Sequence, residues 1–200
     1  MDKYREACTA FFGQIFVGES RVLVFGEGMI GARLMLIGEA PGEQETLTGK
    51  PFVGKAGKNL DQFLEALKAV PLERSKLYIT NAVKVRPTKV SAKGRVSNRP
   101  PNREEIALFQ PWLVREIALV KPEAIATLGN VALRAVTGKP LHIGQVHGRW
   151  LEVDGMPPVF PLYHPASVIY NPSLAIRYAD DLSALALFLG DSTKRPDAVQ

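Results

Sequence analysis

The segment Arg33-Leu-Met-Leu-Ile-Gly38 constrains the fold most. An unbroken apolar run with no alternation cannot lie on a sheet that has one wet face; it needs cover on both sides, as in a parallel sheet. Residues 56–69 follow it with Leu60, Phe63, Leu64 and Leu67 at the i, i+3, i+4, i+7 spacing of a helix. The strand-then-helix unit recurs. Leu77–Asn81 predicts a strand, and residues 103–119 a helix with Ile106, Phe109, Leu113 and Ile117 on one face. Ala124–Leu128 predicts a third strand, after which Gly129 opens a helix to about residue 137. Val159–Tyr163 is the last such strand, though Pro161 suits a central position poorly. Residues 173–189 form a final amphipathic helix, residues 2–12 a short first one, and Val22–Phe25 a short apolar run. Gln145–Val153 reads as a strand turning at Asp154-Gly155. Strands alternating with helices imply a doubly wound parallel sheet. Such sheets bind ligands beyond the carboxyl ends of their strands, which puts Glu39, Asn81 and His164 on one rim.

Composition narrows the chemistry. At 200 residues and 46% hydrophobic, the chain supports a sizeable core. Cys8 is the lone cysteine, so an internal disulfide is excluded, and so is an all-cysteine iron–sulfur or zinc site within one chain. No apolar run reaches the roughly 18 residues of a membrane span. The opening Met-Asp-Lys-Tyr-Arg-Glu lacks the apolar centre of a signal peptide. These features lead us to expect a reduced, cytoplasmic, monomeric protein without membrane contact, forming one domain over residues 1–200.

The net charge of +5 is unevenly placed. Residues 84–103 carry Lys84, Arg86, Lys89, Lys93, Arg95, Arg99 and Arg103 without an acid, and residues 49–58 carry Lys50, Lys55 and Lys58. Those ten groups more than account for the excess: without them the balance is −5. Local basicity is what a phosphate-binding surface requires. A solvated charged loop has the same composition, and Gly, Pro, Asn and Ser between the charges predict a loop in either case.

The stretch from Gly38 to Gly57 is too long and polar for a plain strand–helix connection. It holds Glu39, Glu43, Glu45 and Phe52, then a Gly-Lys-Ala-Gly run at a helix start, where phosphate binds well but without Walker spacing. Taken singly, each residue has a plain structural role: Glu39 or Asn81 as a helix cap, Phe52 in the core, His164 as a packed histidine. Convergence on one rim is what favours function.

Five blocks in order carry a resemblance: Gly-Glu-Ala-Pro-Gly-Glu-Gln-Glu (38–45), Gly-Lys-Pro-Phe-Val-Gly-Lys-Ala-Gly (49–57), Tyr-Ile-Thr-Asn-Ala-Val-Lys (78–84), Lys-Pro-Glu-Ala-Ile-Ala-Thr-Leu-Gly (121–129) and Tyr-His-Pro-Ala-Ser (163–167). Together they resemble the uracil-DNA glycosylase superfamily, nearest its iron–sulfur branch, family four, over about residues 20–189. The resemblance implies a three-layer α/β/α fold with a central, mainly parallel twisted sheet, and residues 190–200 as a flexible tail. It implies hydrolysis of the N-glycosidic bond of uracil in single- or double-stranded DNA, releasing uracil. The alternatives are another deaminated base, hypoxanthine or xanthine, and a non-catalytic DNA- or uracil-binding role. By resemblance Glu39 positions water and stabilises a cationic sugar, and His164 faces the base's O2. Ala40 lends its backbone to the pocket, Glu45 stands by the 5-position, Phe52 stacks on the flipped base, and Asn81 reads its edge. Ser167, Val168 and Ile169 lie in the loop that enters DNA, and Lys50, Lys55, Lys84, Arg86, Lys93, Arg95 and Arg99 are the expected phosphate contacts.

The chain departs from that branch in two places. Val85 and Phe109 stand where cluster cysteines are expected, so no cofactor and no metal are predicted, with apolar packing in the cluster's place. Residues 88–98 form a basic insertion resembling that of the X-type enzymes, whose loop histidine bonds covalently to the sugar. Here Ser97 or Asn98 falls near that position, and neither is a comparable nucleophile. His142 and His147 lack a third metal ligand; His147-Gly-Arg-Trp150 is either structural or a support for the pocket.

Overall fold

The computed structural model describes residues 1–66 and 74–190. Its strands are β1 (Glu27–Gly28), β2 (Leu34–Gly38), β3 (Tyr78–Asn81), β4 (Thr88–Val90), β5 (Val96–Asn98), β6 (Ala124–Leu128) and β7 (Val159–Leu162). Its α-helices are α1 (Asp2–Ile15), α2 (Glu43–Thr48), α3 (Lys55–Ala66), α4 (Arg103–Val120), α5 (Asn130–Thr137), α6 (Ile143–Val146), α7 (Pro165–Tyr170) and α8 (Ala175–Gly190). The predicted helix end at residues 67–69 and the predicted tail from 191 lie outside the described residues.

Five strands form the central sheet in the order β1-β3-β2-β6-β7. β3, β2, β6 and β7 are parallel, and the two-residue β1 pairs antiparallel at one edge. From β2 the chain moves to β3 on one side and later to β6 on the other, so the crevice opens at β2's carboxyl end. The apolar run 34–37 is wholly buried, as cover on both faces requires. Leu34 and Leu36 face Leu60 of α3 and Leu182, Leu185 and Leu189 of α8. Met35 and Ile37 face Leu113, Ile117 and Val120 of α4 and Ala132 and Val136 of α5. Those two helix layers and the sheet are the expected three-layer α/β/α arrangement. Burying each such side chain contributes about 1.5–3 kcal/mol. Truncating Leu36 to alanine costs about 2–5 kcal/mol.

Two segments differ from expectation. Residues 145–153 are not a strand: α6 covers Ile143–Val146, and Leu151 alone bridges Val159. The alternation is interrupted where His147 turns to Asp181 at 2.8 Å and Gly148, at φ +68°, donates to the Pro161 carbonyl. Residues 148–151 still run antiparallel beside β7, but only Leu151 exchanges both backbone bonds, with Val159, so no continuous strand forms. β7 is an edge strand, which removes the difficulty with Pro161. The basic stretch 88–98 is a hairpin rather than a loop, β4 pairing with β5 around a turn at Ser91–Arg95.

Candidate active site

Sheet register assembles the floor of the site. β2 and β3 align Gly38 with Asn81. Pairing continues past the strands, with Ala82 N–H donating to Gly38 O at 2.8 Å and Val83 N–H to Glu39 O at 3.0 Å. On the other side, Gly129 beyond β6 donates to Leu162 O at 2.9 Å, which fixes the segment leading to His164. Gly129 takes φ +87°, and a Cβ there would stand 3.4 Å from that of His164. The result is one cavity of about 50 Å³ lined by Glu39, Ala40, Gly42, Glu45, Phe52, Asn81 and His164. All six of the residues expected to act on the base or the bond are among them.

Phe52 is buried with a left-handed backbone, φ +55°, a strain of about 1–2 kcal/mol for a side-chain-bearing residue. Three devices hold it there. Arg74 Nη2 donates to the Phe52 carbonyl at 2.6 Å and to that of Pro51 at 3.1 Å. The Glu45 carboxylate accepts from the amides of Gly42 (3.0 Å), Val53 (3.0 Å) and Gly54 (2.7 Å). Gly38 provides clearance: a Cβ there would meet the Phe52 ring and stand 2.6 Å from Asn81 Oδ1. Glu45 thus lines the cavity and also clamps the loop that carries Phe52. Arg74 was not foreseen, since it stands in no motif; its partners are the Asp61 carboxylate and two backbone carbonyls well before it in the chain.

Burial disfavours the charged form of both Glu39 and His164. It raises the Glu39 carboxyl above its ordinary value and lowers His164 below its own. His164 caps α7, its Nδ1 accepting from Ala166 N–H at 3.2 Å. A neutral imidazole that accepts at Nδ1 carries its proton on Nε2. His164 is therefore a hydrogen-bond donor at Nε2, a group suited to an oxygen that gains negative charge.

The cavity shares Ala40, Gly42, Glu45 and His164 with a groove of about 860 Å³, whose walls include Lys55, Lys58, Arg86, Arg95 and Tyr170. Ser97 and Asn98 also line it, with Asn98 Oδ1 accepting from Arg86 Nε at 2.7 Å. Lys50, Lys93 and Ser167 are exposed, Val168 is half-buried, and the side chain of Ile169 lies outside the described set. Arg99 is committed to Glu105 through two contacts of 2.6 and 2.7 Å. Lys84 requires a correction. Its side chain is 0% exposed and ion-paired with Glu116 at 2.6 Å, so it is not a phosphate contact. His142 caps α6, and His147 is held by Asp181.

An iron–sulfur cluster does not fit this chain. Such a centre needs several thiolates, and Cys8 is buried with its thiol pushed up to about 12, chiefly by burial. Phe12, Val83, Val85 and Phe109 pack around it, and the Phe12 and Phe109 rings stack at 4.2 Å. Apolar side chains fill the space that ligands would need.

Comparison with known proteins shows the family. The family model of the uracil DNA glycosylase superfamily matches residues 25–186. A type-4 uracil-DNA glycosylase of Sulfurisphaera tokodaii is 40% identical over 156 residues, covering 74% of this chain and 66% of that protein. One from Pyrobaculum aerophilum is 35% identical over 177 residues, covering 85% and 83%. The crystal structure of Pedobacter heparinus SMUG2 shares the fold at a TM-score of 0.57 and 14% identity, covering 96% of this chain and 86% of that one. The likeness extends across the sheet and the loops at its carboxyl edge, and the chain belongs to the uracil-DNA glycosylase superfamily, on the side of its type-4 branch.

Proposed function

We propose that the chain hydrolyses the N-glycosidic bond of uracil in DNA, releasing uracil and leaving an abasic site. The observation that carries this is the donor at His164 Nε2, fixed by the Ala166 amide and set in the same cavity as Glu39 and Asn81. Cleavage leaves positive charge on the sugar and negative charge on the departing base. A carboxylate on the sugar side and an N–H at the base's O2 complement both, and fixed groups of this kind are worth about 2.7–4 kcal/mol each. Glu39 orients water and stabilises the sugar cation. The Asn81 amide offers a donor and an acceptor, matching uracil's O4 and N3–H. Phe52 stacks on the base once it leaves the helix, offsetting part of the cost of unstacking. Glu45 stands by the 5-position, where it excludes thymine's methyl.

The groove cations Lys55, Lys58, Arg86 and Arg95 suit the DNA backbone. Among the described residues no helix is long and apolar enough to cross a membrane. We take the protein as a cytoplasmic monomer acting on single- and double-stranded DNA. Its test is an excision assay on oligonucleotides carrying one uracil, thymine, hypoxanthine or xanthine, with alkaline scission at abasic sites. The expected result is scission at uracil alone and no protein–DNA adduct on a denaturing gel. Preferred cleavage at a purine would refute the substrate, and an adduct would refute hydrolysis.

A further inference from the structure

Beneath the cavity floor lies a buried charge that the chemistry above does not use. The Lys84 ammonium has three protons and three acceptors: Glu116 Oε2 at 2.6 Å, the Asn81 carbonyl at 2.6 Å and Thr80 Oγ1 at 2.7 Å. The Glu116 carboxylate also accepts from Thr80 Oγ1 at 3.1 Å and from the Tyr78 hydroxyl at 3.0 Å. Thr80 thus accepts from the lysine and donates to the glutamate, so every proton in the cluster has a place. Lys84 and Glu116 are both 0% exposed.

An ion pair so enclosed is poor support for stability. Desolvating both charges offsets most of their attraction, and apolar replacement of both is often neutral or stabilising. What the pair does here is local. One ammonium proton holds the carbonyl of the residue expected to read the base, and the Lys84 backbone carbonyl is held in turn by Val24 N–H at 2.8 Å. The next two amides tie that segment to Gly38 and Glu39. From this arrangement we infer that Lys84 and Glu116 are positioning residues, which fix the Asn81 amide against the base edge and Glu39 beside it. This rests on the proposed role of Asn81.

The test compares Lys84→Met/Glu116→Leu, which removes both charges together, with Thr80→Val and Asn81→Ala. For each, the melting temperature, the single-turnover excision rate, the affinity for free uracil and the affinity for abasic-site DNA are measured. The double variant should melt lower than wild type, because the Tyr78 and Thr80 hydroxyls and the Asn81 carbonyl lose partners, yet once folded it should hold abasic DNA within about twofold. Its excision rate and uracil affinity should fall on the order of 10–100-fold, as misplacement of about 1 Å does elsewhere. Thr80→Val, which keeps the pair but removes the bridging hydroxyl, should show the same pattern at a few-fold. If the double variant fails to fold, Thr80→Val decides alone, and unchanged uracil affinity in it overturns the inference. Wild-type excision by the double variant, or an equal loss of abasic-DNA affinity, also overturns it. Near-wild-type excision by Asn81→Ala would instead refute the role of Asn81 itself.

Discussion

Lys84 and Lys93 belong to one basic stretch of sequence but to two different kinds of structure. Lys84 is sealed under the site with all its protons in use, and the segment around it is tied to the neighbouring strand by consecutive amides. Lys93 stands exposed at the turn of a two-stranded ribbon. There even the paired Val90 and Val96 are 68% and 51% exposed. The ribbon is anchored at its base, where Arg99 binds Glu105 and the Thr88 carbonyl. A ribbon of two strands with no buried face is marginal by itself. A charge held in low dielectric fixes geometry, whereas one in water attracts phosphate over a distance and tolerates motion. Under the proposed function the floor should therefore govern rate and base choice, and the hairpin affinity.

The sharpest way to break that division is at the cavity. Glu39→Gln and His164→Ala should each lose about 100–1,000-fold in single-turnover excision while still binding uracil-containing DNA. Near-wild-type turnover by both would remove the cavity from the chemistry. Asn81→Asp should come next, with uracil excision down on the order of tenfold or more and some cytosine excision gained, since a carboxylate accepts from the N4 amine. Unchanged uracil excision would take Asn81 out of base reading.

The hairpin should respond in a different currency. Neutralising Lys89, Lys93 and Arg95 together should flatten log affinity against log salt by up to about 0.7–0.9 for each phosphate deprived of its cation, equally for uracil-containing and normal DNA. An unaltered slope would show a solvated hairpin. The mildest effect is that of pH. Glu39 must be ionised and His164 neutral; burial raises the first and lowers the second, and acid protonates both. Single-turnover rates should fall as acidity increases. Glu39→Gln should lose the part of that limb due to its carboxyl. A rate that rose on acidification would contradict the assignment of His164 as a neutral donor.

The sequence made the sheet legible because a covered strand has no alternative to an unbroken apolar run, as in Leu34–Ile37. The rim followed from topology, since residues just past parallel strands converge, and the residue roles followed from resemblance. Lys84 was misread because charge density along a chain carries no sign of burial. A signal did exist: Glu116 stands between Leu113, Ile117 and Val120 on the buried side of α4, where an acid needs an internal partner. The hairpin was missed because a ribbon wet on both faces has no hydrophobic alternation to display. Residues 145–153 had the alternation, but α6 takes their start and the turn at His147-Gly148 leaves only Leu151 bridged to β7, a break that local pattern does not contain.

The division between floor and hairpin is tested most directly by single-turnover excision measured over rising enzyme concentration for two variants side by side. The variant neutralised at Lys89, Lys93 and Arg95 should need more enzyme yet reach the wild-type rate at saturation. His164→Ala should bind at wild-type concentrations and plateau about 100–1,000-fold lower at any concentration. A hairpin variant that remains slow when saturated would contradict the division, because it would place the hairpin in the chemical step.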